Sequence, residues 1–460
     1  MSSSKRKPIF EVSNPVKDLK LKVSQNGRYF MDQYGKPFFY LGDTAWTLFK
    51  RLDHEEVDEY FKNRIAKGFN LIQAYVLRGL EVTNIYGHTP LVDNNPTKFD
   101  KDFFGNIDYI VNRANELGLV MGLVTTFGEH VRKGRNVGER FKREEQIFNV
   151  SNAYEFGRLL GKRYKDNCVI WLLGGDRIPT EDMDVWDAMG RGLKAGSKGT
   201  QLVSFHGSGH RESPSSSYWF HNHEWLDFNT IQSGHGWAIP NYGDVLHDYG
   251  LKPVKPTLDM EARYEDHPDR RTNRGIMGAH QAREAAYWAV LAGAAGHGYG
   301  NNNVWQMHDE NKVYSMNDYT FPLLTPNENW RTAIDSEGAF GIGYMRKLLE
   351  LRPWYRLVPD ESVIAAGQGE EEDHIQAARA EDGSFIIAYL ACGNSVDIHM
   401  DKITGEKVKT QWYNPREGTF TYVGQFARAG VRKFTAPSSG EQEDWVLVLE
   451  DAGKNYAINL

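Results

Sequence analysis

Cysteine is nearly absent from this 460-residue chain: Cys168 and Cys392 stand alone, more than two hundred positions apart. Such a pair builds no disulfide framework, no zinc site of clustered thiolates and no CxxC redox motif. Long apolar runs are missing too, and a membrane-spanning helix needs about 20 such residues. No basic run extends beyond Lys5-Arg6-Lys7, and 54 Lys plus Arg against 61 Asp plus Glu leave a net charge of −7. That balance excludes nucleic acid as the main partner. The basic start, Met1 to Pro8, lacks the apolar stretch a secretory signal carries, so a cytoplasmic location is expected. No internal repeat or low-complexity tract appears. With 40% apolar and 25% charged residues, disorder and coiled-coil architectures are also out.

What the chain has in quantity is aromatic rings: 12 Trp, 23 Tyr and 23 Phe, many beside polar residues in loop-like sequence. Flat rings next to carboxylates and amides suit sugars, whose C–H faces stack while their hydroxyls take hydrogen bonds. From residue 38 onward, short apolar runs alternate with amphipathic stretches, the pattern of βα units. Strands are predicted at 38–41, 70–74, 120–124, 169–173, 201–205, 230–232, 256–259 and 296–299. Eight runs are what a (β/α)8 barrel needs. An open doubly wound sheet requires a phosphate-binding glycine turn after the first strand, which Leu41-Gly42-Asp43-Thr44 is not. Helices are predicted at 55–67, 107–117, 153–164 (capped by Ser151 or Asn152), 277–291 and 330–351. The texture after residue 353 changes to alternating strands with turn signals, the mark of a β-sandwich. The expected organisation is an N-terminal hairpin segment at 1–37, a catalytic barrel at 38–352 and a sandwich at 353–460.

Barrel enzymes gather their chemistry at the C-terminal strand ends, and here every such end is polar. Asp176 follows an apolar strand through Gly174-Gly175, and Glu261 ends Thr257-Leu258-Asp259-Met260 across the mouth. Glycoside hydrolysis needs such a pair, one carboxyl group as general acid and the other as nucleophile or general base. Asp43, Glu129, Asp259 and Glu265 are reserve candidates; alternation along a strand would point Asp259 the same way as Glu261. Three histidine clusters, His206 with His210, His221 with His223, and His235 near His247, lack metal-ligand spacing and read as hydrogen-bonding imidazoles. The tract Gly293 to Gly300 matches no phosphate loop.

Four motifs in order, Phe38-Phe39-Tyr40-Leu41-Gly42-Asp43-Thr44-Ala45-Trp46, Gly68-Phe69-Asn70, Trp171-Leu172-Leu173-Gly174-Gly175-Asp176 and Asp259-Met260-Glu261-Ala262-Arg263-Tyr264-Glu265, resemble the apiosidase-like glycoside hydrolases (family 140). The family's motif often has Gly where this chain has Met260. The resemblance spans nearly the whole chain and implies a barrel followed by a sandwich of the collagen-binding type, with Asp176 as acid/base and Glu261 as nucleophile. The implied activity is exo-acting removal of terminal apiose from plant glycans or glycosides, with no cofactor and no metal. Alternatives are an endo-β-glucanase or another pentosidase on the same barrel, or a non-catalytic carbohydrate-binding protein. Asp43, Tyr75, His130, His206 and Arg263 are assigned to hydroxyl recognition, and Trp46, Trp237 and Trp305 to sugar platforms or walls.

Overall fold

The computed structural model of the chain describes residues 6–10, 14–131, 146–209, 212–237, 239–312 and 326–457. Three short strands, β1 (Lys22–Val23), β2 (Phe30–Met31) and β3 (Pro37–Phe38), form an antiparallel sheet. From it Leu21 and Phe30 pack with Tyr40, Leu71, Val120, Ile170 and Leu258 and plug the floor of the barrel. The barrel strands are β4 (Tyr40–Thr44), β5 (Leu71–Leu77), β6 (Val120–Thr126), β7 (Val169–Gly174), β8 (Val203–His206), β9 (Asn229–Ile231), β10 (Thr257–Asp259) and β11 (Gly296–Tyr299). They pair in parallel in the order β8-β7-β6-β5-β4-β11-β10-β9. Among the described residues no backbone ladder joins β8 to β9. That seam is closed by the Ser204 hydroxyl donating to the Phe228 carbonyl (2.6 Å), the Thr230 hydroxyl donating to the Phe205 carbonyl, and the Asp227 amide donating to the Val203 carbonyl (2.9 Å).

All eight predicted runs are strands, though the first five continue past their expected ends, the first two furthest because Gly42-Asp43-Thr44 and Tyr75 to Leu77 still pair with their neighbours. The surrounding helices carry readable ends. His54–Ala66 opens on a reciprocal cap between Asp53 and Glu56, and Lys101–Leu117 stops at Gly118 with φ of 92°. Helix Val150–Arg163 starts at Asn149, not at Ser151 or Asn152; the Asn149 and Asn152 side chains cap each other's amides. The predicted helix over 330–351 is two, Trp330–Ala333 and Glu337–Glu350, because Ser336 turns extended and starts the second.

Beyond the barrel lie β12 (Leu357–Pro359), β13 (Ile364–Ala366), β14 (Ile375–Ala380), β15 (Phe385–Leu390), β16 (Ser395–His399), β17 (Lys407–Asn414), β18 (Thr419–Ala427), β19 (Val431–Thr435) and β20 (Trp445–Asp451). They form two antiparallel sheets, β12-β14-β15-β20-β17-β18 and β13-β16-β19, with Ile386, Ile398, Trp412, Phe434 and Leu447 in the core between them. The other face of the larger sheet meets barrel helix Ala279–Leu291. There Tyr389 stacks on Tyr287 at 4.6 Å, and Asp444 holds Arg283 through two hydrogen bonds of 2.8 Å.

Candidate active site

Asp176 owes its place to the backbone before it. Gly174 and Gly175 adopt φ of 87° and 132°, and Asp176 itself is left-handed at 56°. A Cβ on Gly174 would lie 2.0 Å from the His206 carbonyl oxygen, which accepts from the Gly175 amide at 3.0 Å. Only glycine lets the end of β7 lie so close to β8 and then swing the carboxylate over the mouth. Glu261 arrives differently. The Ile231 carbonyl accepts from both the Met260 amide (2.9 Å) and the Glu261 amide (3.4 Å), so two residues face one, as in a bulge. The extra residue reverses the alternation. Met260 points into the barrel core, Asp259 turns outward to the Ser233 hydroxyl and the Asn241 amide (2.7 Å each), and Glu261 returns over the mouth. The expectation that Asp259 and Glu261 point together fails at this bulge.

The two carboxylates meet. Asp176, Glu261 and His206 each bring one donor atom within 4.8 Å of the others. His206 Nε2 lies 3.5 Å from Asp176 Oδ1 and 3.2 Å from Glu261 Oε2. Gln232 Nε2 donates to Asp176 Oδ1 at 3.1 Å and to Glu261 Oε1 at 2.8 Å, and His235 Nε2 stands 3.1 Å from Glu261 Oε1. The Asp176 side chain is 39% exposed and that of Glu261 only 7%, so one carboxyl group is at the rim and the other at the bottom. Burial alone would push Glu261 up, but hydrogen bonds and charge from His206 and His235 outweigh it and hold the carboxyl well below its usual range. Burial likewise opposes the charge on His206, yet Asp176 and Glu261 raise its imidazole to about 9. Asp176, His206 and Glu261 are also ligand types that a divalent ion takes, while the N–H groups that Gln232 aims at both carboxylates suit hydrogen bonding to anionic oxygens.

Next to the pair stands an aromatic wall. The Trp46 ring lies 5.4 Å from that of His206 and 4.9 Å from Tyr75, and Tyr75 meets Phe127 at 5.6 Å. The Arg78 guanidinium sits over Tyr75, Phe127 and Trp305 at 5.4, 5.4 and 5.3 Å. Trp46, Tyr75, His206 and Trp305 therefore stand together beside the carboxylate pair. Trp237 is half-buried on the loop after β9, its amide donating to Asp269 Oδ1 at 3.3 Å.

Other expected site residues lie elsewhere. Asp43 is within β4 and faces outward, where it accepts from the Tyr60 hydroxyl and lies 3.6 Å from Arg64 Nη1, both on the helix behind. Arg263 also points away, pairing with Glu284 and donating to the Ile239 carbonyl at 2.9 Å. His130 is fully buried, with Nδ1 2.7 Å from the Thr126 hydroxyl. Of the reserves, Glu129 pairs with Arg177, and Glu265 accepts from the Tyr299 hydroxyl (2.5 Å) and the Gly338 amide (3.0 Å) at the start of helix Glu337–Glu350. The other histidines bond within the protein: His221 to Asn229 and the Pro253 carbonyl, His223 to Asp187, His247 to Asp248. His210 lies outside the described residues. Gln232 and the contact of His235 with Glu261 went unpredicted. A lone carboxamide at a strand end carries no charge pattern or spacing that marks it.

The sequence model of the apiosidase-like catalytic domain matches residues 24–356, and that of a collagen-binding domain of a collagenase matches residues 358–450. None of the curated proteins matches the chain. Among solved structures, one titled a glycoside hydrolase is 30% identical, covers 97% of this chain and 100% of its own, and superposes with a TM-score of 0.86. A glycoside hydrolase family 5 protein from Bacteroides vulgatus is 31% identical over 97% of this chain and 96% of its own, also with a TM-score of 0.86. Another Bacteroides vulgatus structure, 14% identical with a TM-score of 0.65, shares the fold over 95% of this chain and 83% of its own. The carboxylate pair at the barrel mouth, the matched catalytic domain and the likeness over the full length agree: this chain belongs to the apiosidase-like family of glycoside hydrolases.

Proposed function

We propose that the protein is an exo-acting β-apiosidase that releases terminal apiose from plant glycans or glycosides with retention at the anomeric carbon. One observation carries the reaction: Asp176 and Glu261 present carboxylate oxygens within 4.8 Å of each other at the mouth. Inversion leaves room for a water between carboxyl groups about 6.5 to 9.5 Å apart, whereas retention uses about 5 to 5.5 Å. Glu261, buried and held ionised, attacks the anomeric carbon. Asp176, at the open rim, gives its proton to the departing glycosidic oxygen, which leaves with the bonding electron pair. Asp176 then takes a proton from the water that cleaves the glycosyl–Glu261 ester. The depth difference between the two carboxyl groups supports a blind pocket for one terminal sugar, with the aglycone leaving on the Asp176 side. The family likeness supports apiose as that sugar.

The test is sugar release from an apiose-capped glycoside such as apiin, or from a pectic apiosyl side chain. Wild type is expected to free apiose, and Glu261→Gln to lose at least about 1,000-fold in kcat. Asp176→Ala should slow natural glycosides far more than activated aryl glycosides, which need little acid help. Release of oligosaccharides in place of the monosaccharide overturns the exo reading. Folded protein inert toward apiosyl and other glycosides overturns catalysis and leaves a sugar-binding barrel.

A further inference from the structure

Gln232 follows Ile231 at the end of β9, where its amide donates to the Pro214 carbonyl at 3.0 Å. It is 7% exposed, so its side chain has little freedom. Its NH2 group carries two hydrogens, and its nitrogen lies 3.1 Å from Asp176 Oδ1 and 2.8 Å from Glu261 Oε1. The opposite end of the carboxamide, Oε1, is buried and has no hydrogen-bond partner among the described residues. An acceptor left unpaired at the bottom of a polar mouth is costly unless a ligand or water meets it.

We propose that Gln232 is the positioning residue of the reaction, its NH2 group giving one hydrogen to each carboxylate and so fixing their separation, while Oε1 accepts a hydroxyl of the bound sugar. The inference rests on Asp176 and Glu261 acting as the pair described above. No other described side chain donates an amide N–H to both carboxylates. His206 spans the same gap at longer range and on other oxygens of Glu261. Its charge attracts both carboxyl groups without fixing the angle between them, whereas two N–H directions of one planar amide do.

The experiment compares Gln232→Ala and Gln232→Glu with wild type. The glutamate keeps the shape and replaces the NH2 group with a carboxyl oxygen. Both variants should lose at least about 100-fold in kcat; KM for an activated aryl glycoside should change by less than about 3-fold in Gln232→Glu, which keeps an acceptor oxygen for the sugar hydroxyl, and rise further in Gln232→Ala, which does not. The acidic limb of the kcat profile, set by ionisation of Glu261, should move up by about one pH unit, because that carboxylate loses a donor that favours its charged form. A role confined to stability would lower the melting temperature and leave the profile in place, which would overturn the proposal.

A second readout needs no substrate: 13C NMR titration of the Asp and Glu carboxyl carbons, assigned with Asp176→Asn and Glu261→Gln. Carboxyl titrations that coincide in wild type and Gln232→Ala overturn the positioning role whatever the sugar. Titrations that move, in a protein that releases no apiose, support it and count only against the apiosidase reading.

Discussion

Replacing His206 by Asn tests the charge at the centre of the site through folding rather than through catalysis. His206 is fully buried, with Nε2 at 3.5 Å from one carboxylate and 3.2 Å from the other, and its imidazole is raised to about 9. At about 1.36 kcal/mol per pH unit, a rise from the ordinary 6.5 to about 9 is worth about 3 kcal/mol. A base with a higher pKa folded than unfolded contributes this in full below its unfolded value and loses it as pH climbs through its folded value. Asn binds no proton over that range. The unfolding free energy of wild type relative to His206→Asn should therefore shrink by about 3 kcal/mol between about pH 6 and about pH 9.5. Urea titration of both proteins at the two pH values, followed by tryptophan fluorescence, reads the difference directly. Two proteins whose stabilities run parallel across this window would refute a cationic His206 held by the carboxylates.

Gly174→Ala should act on catalysis through the backbone. The new methyl would stand 2.0 Å from the His206 carbonyl oxygen at a φ of 87°, so the turn must move and Asp176 with it; kcat should fall at least about 100-fold. An unchanged kcat would show that the glycine turn does not place the acid. Asp444→Asn would leave Arg283, 4% exposed, without its carboxylate. Thermal or urea unfolding should show a loss of about 3 to 5 kcal/mol, the usual cost of removing one partner from a buried pair.

The barrel was legible because its strands are buried on both faces and read as short apolar runs, while glycines and caps end the helices between them. The two catalytic candidates were legible for a related reason: a carboxylate straight after an apolar strand lands at the mouth. What sequence could not supply is side-chain direction. Asp43 was read as lying past the strand, yet β4 continues through Thr44, and the alternation sends Asp43 outward to Tyr60 and Arg64 while Thr44 faces in. Arg263 lies two residues beyond Glu261 and is turned to Glu284. The bulge at Ile231 has no signature in Asp259-Met260-Glu261, and it decides which of two acids reaches the site. In the second domain β19, Val-Arg-Lys-Phe-Thr, carries no apolar alternation, because four of its five residues are exposed and only Phe434 is buried.

The contact between Asp444 and Arg283 bears on how this architecture can be inherited. A domain that serves as a portable binding attachment hangs on a linker and presents its polar groups outward. Here Asp444 takes hydrogen bonds from Arg283 and Arg416 inside the joint, and Glu450 takes Arg352 from the segment linking barrel to sandwich. The next residue after Arg283, Glu284, grips Arg263 on the loop that carries Glu261. Exchanging the sandwich for an unrelated one would strand Arg283 on the barrel helix that steadies the Glu261 loop, and Arg352 in the link between the domains. Lineages should then pass the two units on together, with the sandwich kept for the fit of its inner face even where its outer face drifts freely.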